Sequence, residues 1–302
     1  MTRTLKALVF LSYTLLSTAS IAASLEQDFS KISLKTTHVR GNIYMLEGVG
    51  GFSGGNIGVS AGKDGILLID DQLSPMSEKI NHALAEINPG KLRFILNTHW
   101  HGDHTGSNAE LSKQATIISH SNVRQRLMAE QNNFFGKSPA SAEAAWPLIT
   151  FDQAMNIHFN GDDIQFIHYP NGHTDGDGII YFPTSRVAHL GDHFFNGVFP
   201  FVDLDTGGNA LSLSRNIKKI IERLPNDTLV IPGHGELTNM KGLMAYDDML
   251  SNTISFVQQQ VAEGKSLAEI QLAGLPTKWA VWGGGFVTEK LWIKAIYQSL
   301  AK

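Results

Sequence analysis

An α/β fold, with sheets layered against amphipathic helices, is what this sequence predicts, and three observations carry the prediction. Short apolar strand segments alternate with segments of helical period along the chain. Several strands end in Asp or His with Gly close by, as strands do where they stop at a ligand-binding edge. A chain of 302 residues can bury one large core, so residues 24–302 are read as a single domain with C-terminal helices.

Residues 1 to 23 differ from the rest, with Arg3 and Lys6 ahead of the apolar run "ALVFLSYTLL" and the small-residue stretch "STASIAAS". This pattern reads as a secretory signal cleaved near Ala22 or Ala23, and the expected location is periplasmic or secreted. The apolar run falls short of the ~20 residues of a spanning helix, so no stable membrane anchor is expected after cleavage. Removing the segment leaves 22 basic and 28 acidic residues of the original 24 and 28. With that mildly acidic balance and no basic run, no nucleic-acid partner is expected, and a small-molecule substrate is. Cysteine is absent, which removes disulfides, thiolate ligands and a cysteine nucleophile, so any metal must sit on His, Asp or Glu.

The elements follow in order. "NIYMLEG", "NIGVSAG" and "GILLIDDQ" read as strands by alternation and β-branched content. Ser74 and Pro75 are read as a cap with Pro at the first helical position, and Met76, Ile80, Leu84 and Ile87 form the stripe of a helix that stops at "NPG". "KLRFILNT" is the next strand. Asn160 and Gly161 tolerate positive φ and turn "MNIHF" back into "DIQFIHYP" as a hairpin. "RVAHLG" and "TLVIPG" are strands flanking a helix over Leu211 to Leu224. Leu243, Tyr246, Leu250, Ile254, Val257 and Val261 stripe a long helix ended by Gly264. Ser266 with Glu269 makes a capping box, and Thr288 starts the last helix. Phe134 to Pro147 is expected to be an irregular surface excursion, and Phe194 to Phe201 either a loop on the core or one wall of a pocket.

Five places share one grammar, an apolar strand running into Asp or His: "ILLIDDQ" at Asp70 and Asp71, "FILNTHWHGDH", "QFIHYPNGHTDGD" reaching His173, "RVAHLGD" reaching Asp192, and "TLVIPGHG" reaching His234. In layered α/β folds ligands bind outside the carboxyl ends of strands, so these side chains are expected to converge on one edge. Imidazole and carboxylate are zinc ligands, and six or seven of them exceed what one tetrahedral ion uses, so two ions are implied. Gly102, Gly172, Gly191, Gly233 and Gly235 fit tight turns beside a ligand. His38, His82, His120, His158 and His168 lie outside this grammar and are assigned to surface or ordinary hydrogen-bonded roles.

"HWHGDH", "GHTDGD", "LGDHFF" and "PGHG", in this order, resemble the metallo-β-lactamase superfamily over roughly residues 42 to 246. The resemblance implies a four-layer αββα sandwich with a dinuclear metal site at one edge. It implies His99, His101 and His173 on a first metal, Asp103, His104 and His234 on a second, and Asp192 touching both. Asp70 matches the family's supporting acid, which orients a ligand-bearing loop. The Gly-rich stretch from Gly48 to Asn56 resembles the family's substrate flap, with Phe52 at its apolar tip; a plain hairpin turn fits the same residues.

Two Zn²⁺ ions are the expected cofactor, with iron or manganese left open. Divalent ions lower the pKa of a bound water from ~15.7 toward ~7, and the resulting hydroxide is the expected nucleophile on a carbonyl, with Asp103 placed to orient it. Class B β-lactamases carry Cys at the second metal and a nearby Lys; this chain has Asp192 and Phe195 in those places, as glyoxalase II and lactonases resemble it in the Asp. The expectation is an exported dinuclear zinc hydrolase of a cyclic amide or ester, with lactam turnover weak. Glyoxalase II-type thioester hydrolysis is the alternative, with Lys278, Lys290 and Lys294 in the C-terminal segment. An iron-dependent oxygenase on the same fold, or a binding module without turnover, are the alternatives of other classes.

Overall fold

The computed structural model describes residues 27–301, and the expected signal segment lies outside them. Two sheets form the centre. The first runs, in spatial order, Ser33–Arg40, Ile43–Val49, Ile57–Gly62, Gly65–Ile69, Leu92–Asn97, Thr116–His120 and Ile149–Phe151. Its first four strands are antiparallel neighbours, and its last four run parallel to one another. The second sheet runs Ala154–Phe159, Asp162–His168, Gly178–Phe182, Val187–His189, Leu229–Ile231 and Thr238–Asn239. Only Val187–His189 and Leu229–Ile231 pair in parallel there.

Period-two alternation makes the layers. In Gly65–Ile69, Leu67 and Ile69 face the second sheet, whereas Ile66 and Leu68 pack under the helix Ser77–Ile87. From the other side Phe166, Ile180 and Phe182 complete the seam between the sheets, all fully buried. Ile179, Tyr181, Ala188 and Val230 point outward instead, against the helices Ala210–Arg223, Met240–Ala262 and Glu289–Ser299. Helix, sheet, sheet, helix is therefore the layer order, as the sequence predicts.

The local signals account for most element ends. Asn160 and Gly161 both have positive φ, at 54° and 80°, between two antiparallel strands. Ser266 and Glu269 form the reciprocal capping box, and the Thr288 side chain caps Glu289–Ser299. Ser74 is corrected: it opens a 3-10 turn, Ser74–Met76, whose cap position is Leu73, and its carbonyl accepts from the Ser77 hydroxyl. Phe134 to Pro147 is also more ordered than expected. A small hairpin, Gln131–Asn133 with Gly136–Ser138, presents Phe134 and Phe135 at its turn, and a 3-10 turn follows at Glu143–Ala145.

No helix among the described residues is long and apolar enough to cross a membrane.

Candidate metal centre

The residues of the shared grammar converge at the edge where both sheets present their strand ends. His99, His101, His173 and Asp192 form one group and Asp103, His104 and His234 another, each with one donor atom per residue, all within 4.8 Å of one another. His99 and His101 follow the strand Leu92–Asn97, and the short helix Gly102–Thr105 carries Asp103 and His104. These four come from the first sheet. His173, Asp192 and His234 leave the second, after Asp162–His168, Val187–His189 and Leu229–Ile231 respectively. His99, His101, His104, His173 and Asp192 are buried.

Four of the five imidazoles, those of His99, His101, His104 and His173, are oriented by a partner behind them. His104 Nδ1–H donates to Asp70 Oδ2 at 2.8 Å, and the same carboxylate accepts from the Thr98 amide and hydroxyl at 2.7 and 2.8 Å. His101 Nε2–H donates to Asp203 at 2.9 Å, and His173 Nδ1–H to the Phe201 carbonyl at 2.7 Å. His99 Nδ1 lies 3.0 Å from the Thr98 hydroxyl, which itself donates to Asp70. Fixing the outer nitrogen as N–H leaves the inner nitrogen with a lone pair aimed at the site.

Those inner nitrogens test whether the set fits a cation. His173 Nε2 stands 2.8 Å from His101 Nδ1, lone pair facing lone pair, a repulsion that a shared positive ion turns into attraction. In the second group His104 Nε2 lies 3.3 Å from His234 Nε2, between the carboxylates of Asp103 and Asp192. His99 Nε2 is buried with no hydrogen-bond partner. Asp192 Oδ1 is buried and lies 3.1 Å from His104 Nε2 and 3.5 Å from His234 Nε2, a position that suits a shared ligand. The donors are all nitrogen and oxygen, so zinc, iron and manganese all suit the set.

Electrostatics point the same way. Burial presses the His99 imidazole well below its ordinary pKa and His173 down to about 4, which keeps both as neutral donors. Burial also opposes charge on His234 and His104, but Asp192 and Asp103 outweigh it, holding His234 at about 9 and His104 well above the usual imidazole value. The second group is thus a place where negative potential concentrates positive charge.

Close backbone approach explains two glycines. A Cβ on Gly233 would come within 2.0 Å of Asp192 Oδ1, and one on Gly55 within 2.1 Å of His104 Cε1. Gly102 is corrected, because its Cβ would meet nothing within 4 Å and its backbone is helical. Phe52 lies on the loop between two antiparallel strands, so a hairpin turn and a cover over the site are here the same object. Its ring stacks on His234 with centroids 6.0 Å apart.

Two buried carboxylates escape the strand-end grammar. Asp203 comes from the loop after the aromatic run, and only its position beside His101 reveals its role. Asp177 binds the His173 and Thr174 amides, at 2.6 and 2.9 Å, so it shapes the turn that delivers His173. The second Asp of "GHTDGD" was its only sequence signal. Among the histidines, His189 and His193 are both buried next to the site, His189 holding the Asn56 carbonyl at 3.0 Å and His193 the Asn216 amide at 3.2 Å.

Asp70→Asn and Asp203→Ala are each expected to weaken metal affinity by about 10- to 100-fold, since outer partners of ligating imidazoles carry that much. Competition with a chromophoric chelator measures it, and unchanged affinity in both variants would remove the orienting roles assigned here.

A cavity of about 890 Å³ opens over the cluster. Asp103, His101, Asp192 and His234 lie at its floor, and Phe52, Trp100, Phe135, Phe195, Phe201 and Phe286 dominate its walls. Phe194 to Phe201 is thus both things the sequence allowed: Phe194 is buried in the core, and Phe195, Phe199 and Phe201 line the cavity.

Comparison with known proteins follows the same lines. The family model described as the metallo-beta-lactamase superfamily matches residues 50–234. A probable metallo-hydrolase of Bacillus subtilis is 30% identical over 184 residues, 58% of this chain and 85% of that one. A hydroxyacylglutathione hydrolase of Polaromonas is 26% identical over 170 residues, 55% of this chain and 57% of that one. Among solved structures, a metallo-beta-lactamase from Pontibacter korlensis superposes with a TM-score of 0.61 at 17% identity, covering 73% of this chain and all (100%) of that one, a likeness of fold. A match over most of the chain, together with ligand-type side chains meeting at the predicted edge, places this protein in the metallo-beta-lactamase superfamily of metal-dependent hydrolases.

Proposed function

We propose that the protein is an exported dinuclear zinc hydrolase that opens a cyclic amide or ester of a small molecule. The observation that carries the reading is the pair of donor groups at the floor of an aromatic cavity. His99, His101 and His173 would hold one ion and Asp103, His104 and His234 the other, with Asp192 between them. Such ions supply Lewis acidity and an ionisable water near neutral pH. The chain's own residues do the rest. Asp70 and Asp203 hold His104 and His101 in register through hydrogen bonds of 2.8 and 2.9 Å. Asp103 Oδ2, 3.3 Å from His234 Nε2, is placed to accept a hydrogen bond from a water at the floor and so orient it. Phe52 and Phe195, both stacked on His234, would shield the floor from bulk water.

The relative named hydroxyacylglutathione hydrolase supports thioester hydrolysis as a second reading. Glutathione carries two carboxylates and an ammonium; among the described residues none of Lys278, Lys290 and Lys294 lines this cavity, whose cations are Arg126, paired with Asp175 at 2.6 Å, and the exposed Lys137. Lys278 lies instead over the Trp279 ring, its Nζ 4.2 Å from the centroid.

Metal analysis of the purified protein combined with nitrocefin, a lactone and a glutathione thioester as substrates tests the proposal. About two zinc ions per chain with lactone or nitrocefin turnover is the expected outcome. Preference for the thioester would replace it by the second reading, and colour with oxygen uptake by an iron oxygenase. Export is tested by fractionating cells expressing the full chain; protein retained in the cytoplasm at full length would overturn that part.

A further inference from the structure

Resting on the hydrolase reading above, we infer that the substrate carries an uncharged, apolar acyl or aryl arm, gripped by a clamp of phenylalanines from three separate segments. The hairpin Gln131–Asn133 with Gly136–Ser138 supplies Phe134 and Phe135, the loop after Asp192 supplies Phe201, and the segment after the 3-10 turn Thr277–Gly284 supplies Phe286. Phe135 lies 5.2 Å from Phe201 and 5.9 Å from Phe286, centroid to centroid, the latter stacked at 27°. Phe134 backs the group from outside the cavity, at 5.5 Å from Phe201 and 6.0 Å from Phe286.

The clamp leads straight to the donor cluster. Phe201 is 6.1 Å from the His101 ring and 5.9 Å from His173, and Phe135 is 6.4 Å from His101. It is also left open to solvent: Phe135 is 64% and Phe286 61% exposed, although both line the cavity. Contiguous exposed aromatic surface of this kind marks a binding site, and its concave shape above the reactive floor selects a small-molecule occupant.

Two cations also line the cavity: Arg126 is paired with Asp175 at 2.6 Å, and Lys137 is solvated at the hairpin, 3.9 Å from Glu130, so the unpaired surface next to the floor is the aromatic one. The hairpin is tied to the site through Asn133. The Asn133 side chain accepts from the Phe135 amide at 3.0 Å and donates to Asp203 at 3.3 Å, and Asp203 in turn holds His101. The clamp is thereby fixed in position relative to the floor.

Kinetics on p-nitrophenyl esters from acetate to octanoate, using the zinc-loaded full chain, test the inference. Each buried methylene contributes up to ~0.8 kcal/mol, close to fourfold, so partial burial predicts kcat/KM on the order of 100-fold higher for octanoate than for acetate. The double variant Phe135→Ala with Phe286→Ala should lower that octanoate-to-acetate ratio at least tenfold, and Phe135→Leu should restore part of it in the same background. A ratio near one in the wild type, or one untouched by the double variant, overturns the clamp. Binding of the neutral fluorophore N-phenyl-1-naphthylamine keeps the two readings apart, because it needs no turnover. If no ester is cleaved, the hydrolase reading fails, yet one equivalent bound by the wild type, and bound tenfold more weakly by the double variant, upholds the apolar clamp. No binding to the wild type overturns it.

Discussion

His101→Ala and Asp192→Ala are each expected to lower kcat/KM by at least ~10³-fold, because removing one ligand forfeits several kcal/mol of transition-state stabilisation at ~1.4 kcal/mol per tenfold. The two report on different elements. His101 sits at the start of the short helix Gly102–Thr105 and is held from behind by Asp203, whereas Asp192 lies in the 3-10 turn Gly191–His193 of the other sheet. Asp192 Oδ2 is 3.8 Å from His99 Nε2 and 3.4 Å from His173 Nε2, and Oδ1 is 3.1 Å from His104 Nε2 and 3.5 Å from His234 Nε2, so it faces both donor groups. Asp192→Ala is therefore expected to reduce bound metal below one ion per chain, and His101→Ala to leave the second group loaded. Both should keep a native circular dichroism spectrum, since neither side chain is part of the apolar seam. Turnover within tenfold of wild type in either variant would remove that residue from the centre.

Chelation carries the second large effect. Dialysis against a strong chelator is expected to abolish turnover and to lower the melting temperature by roughly 10 °C, with zinc restoring both. A ligand present at ~1,000 times its dissociation constant contributes about 4 kcal/mol, and a domain of this size shifts by ~2–4 °C per kcal/mol. The physical reason is local. Burial and the crowding of the imidazoles oppose bringing these groups together: His99 is held well below its ordinary pKa by burial first and by His104 next. A bound cation offsets that cost only in the folded chain. Calorimetry in the presence and absence of zinc measures the shift, and an unchanged melting temperature with full activity would sink the assignment.

Much of the fold is legible because the local rules agree with the global one. The strand Gly65–Ile69 alternates between two apolar environments, Asn160 and Gly161 have the positive φ of their turn, and the Ser266 capping box forms as written. The donor residues are legible for a different reason: each follows an apolar strand, and strand order places such positions at one edge. Asp203 and the Phe135 hairpin are not legible. Asp203 reaches His101 across 102 positions of sequence from a loop with no strand before it. Phe134 and Phe135 look like loop residues because the partners that give them meaning, Phe201 and Phe286, are supplied by tertiary structure alone. Ser74 shows the smaller kind of error, a cap displaced by one residue where a 3-10 turn precedes the α-helix.

The way the two donor groups straddle the sheets has a consequence for maturation. His99, His101, Asp103 and His104 belong to the N-terminal half and His173, Asp192 and His234 to the C-terminal half, and each group draws from both. Neither half owns a complete coordination set, so a cation would be taken up fully only by chains whose halves have docked in register. An ion bound there would work as a rivet across the joint, and hydrogen exchange along Leu92–Asn97 and Val187–His189 should slow together when metal is added.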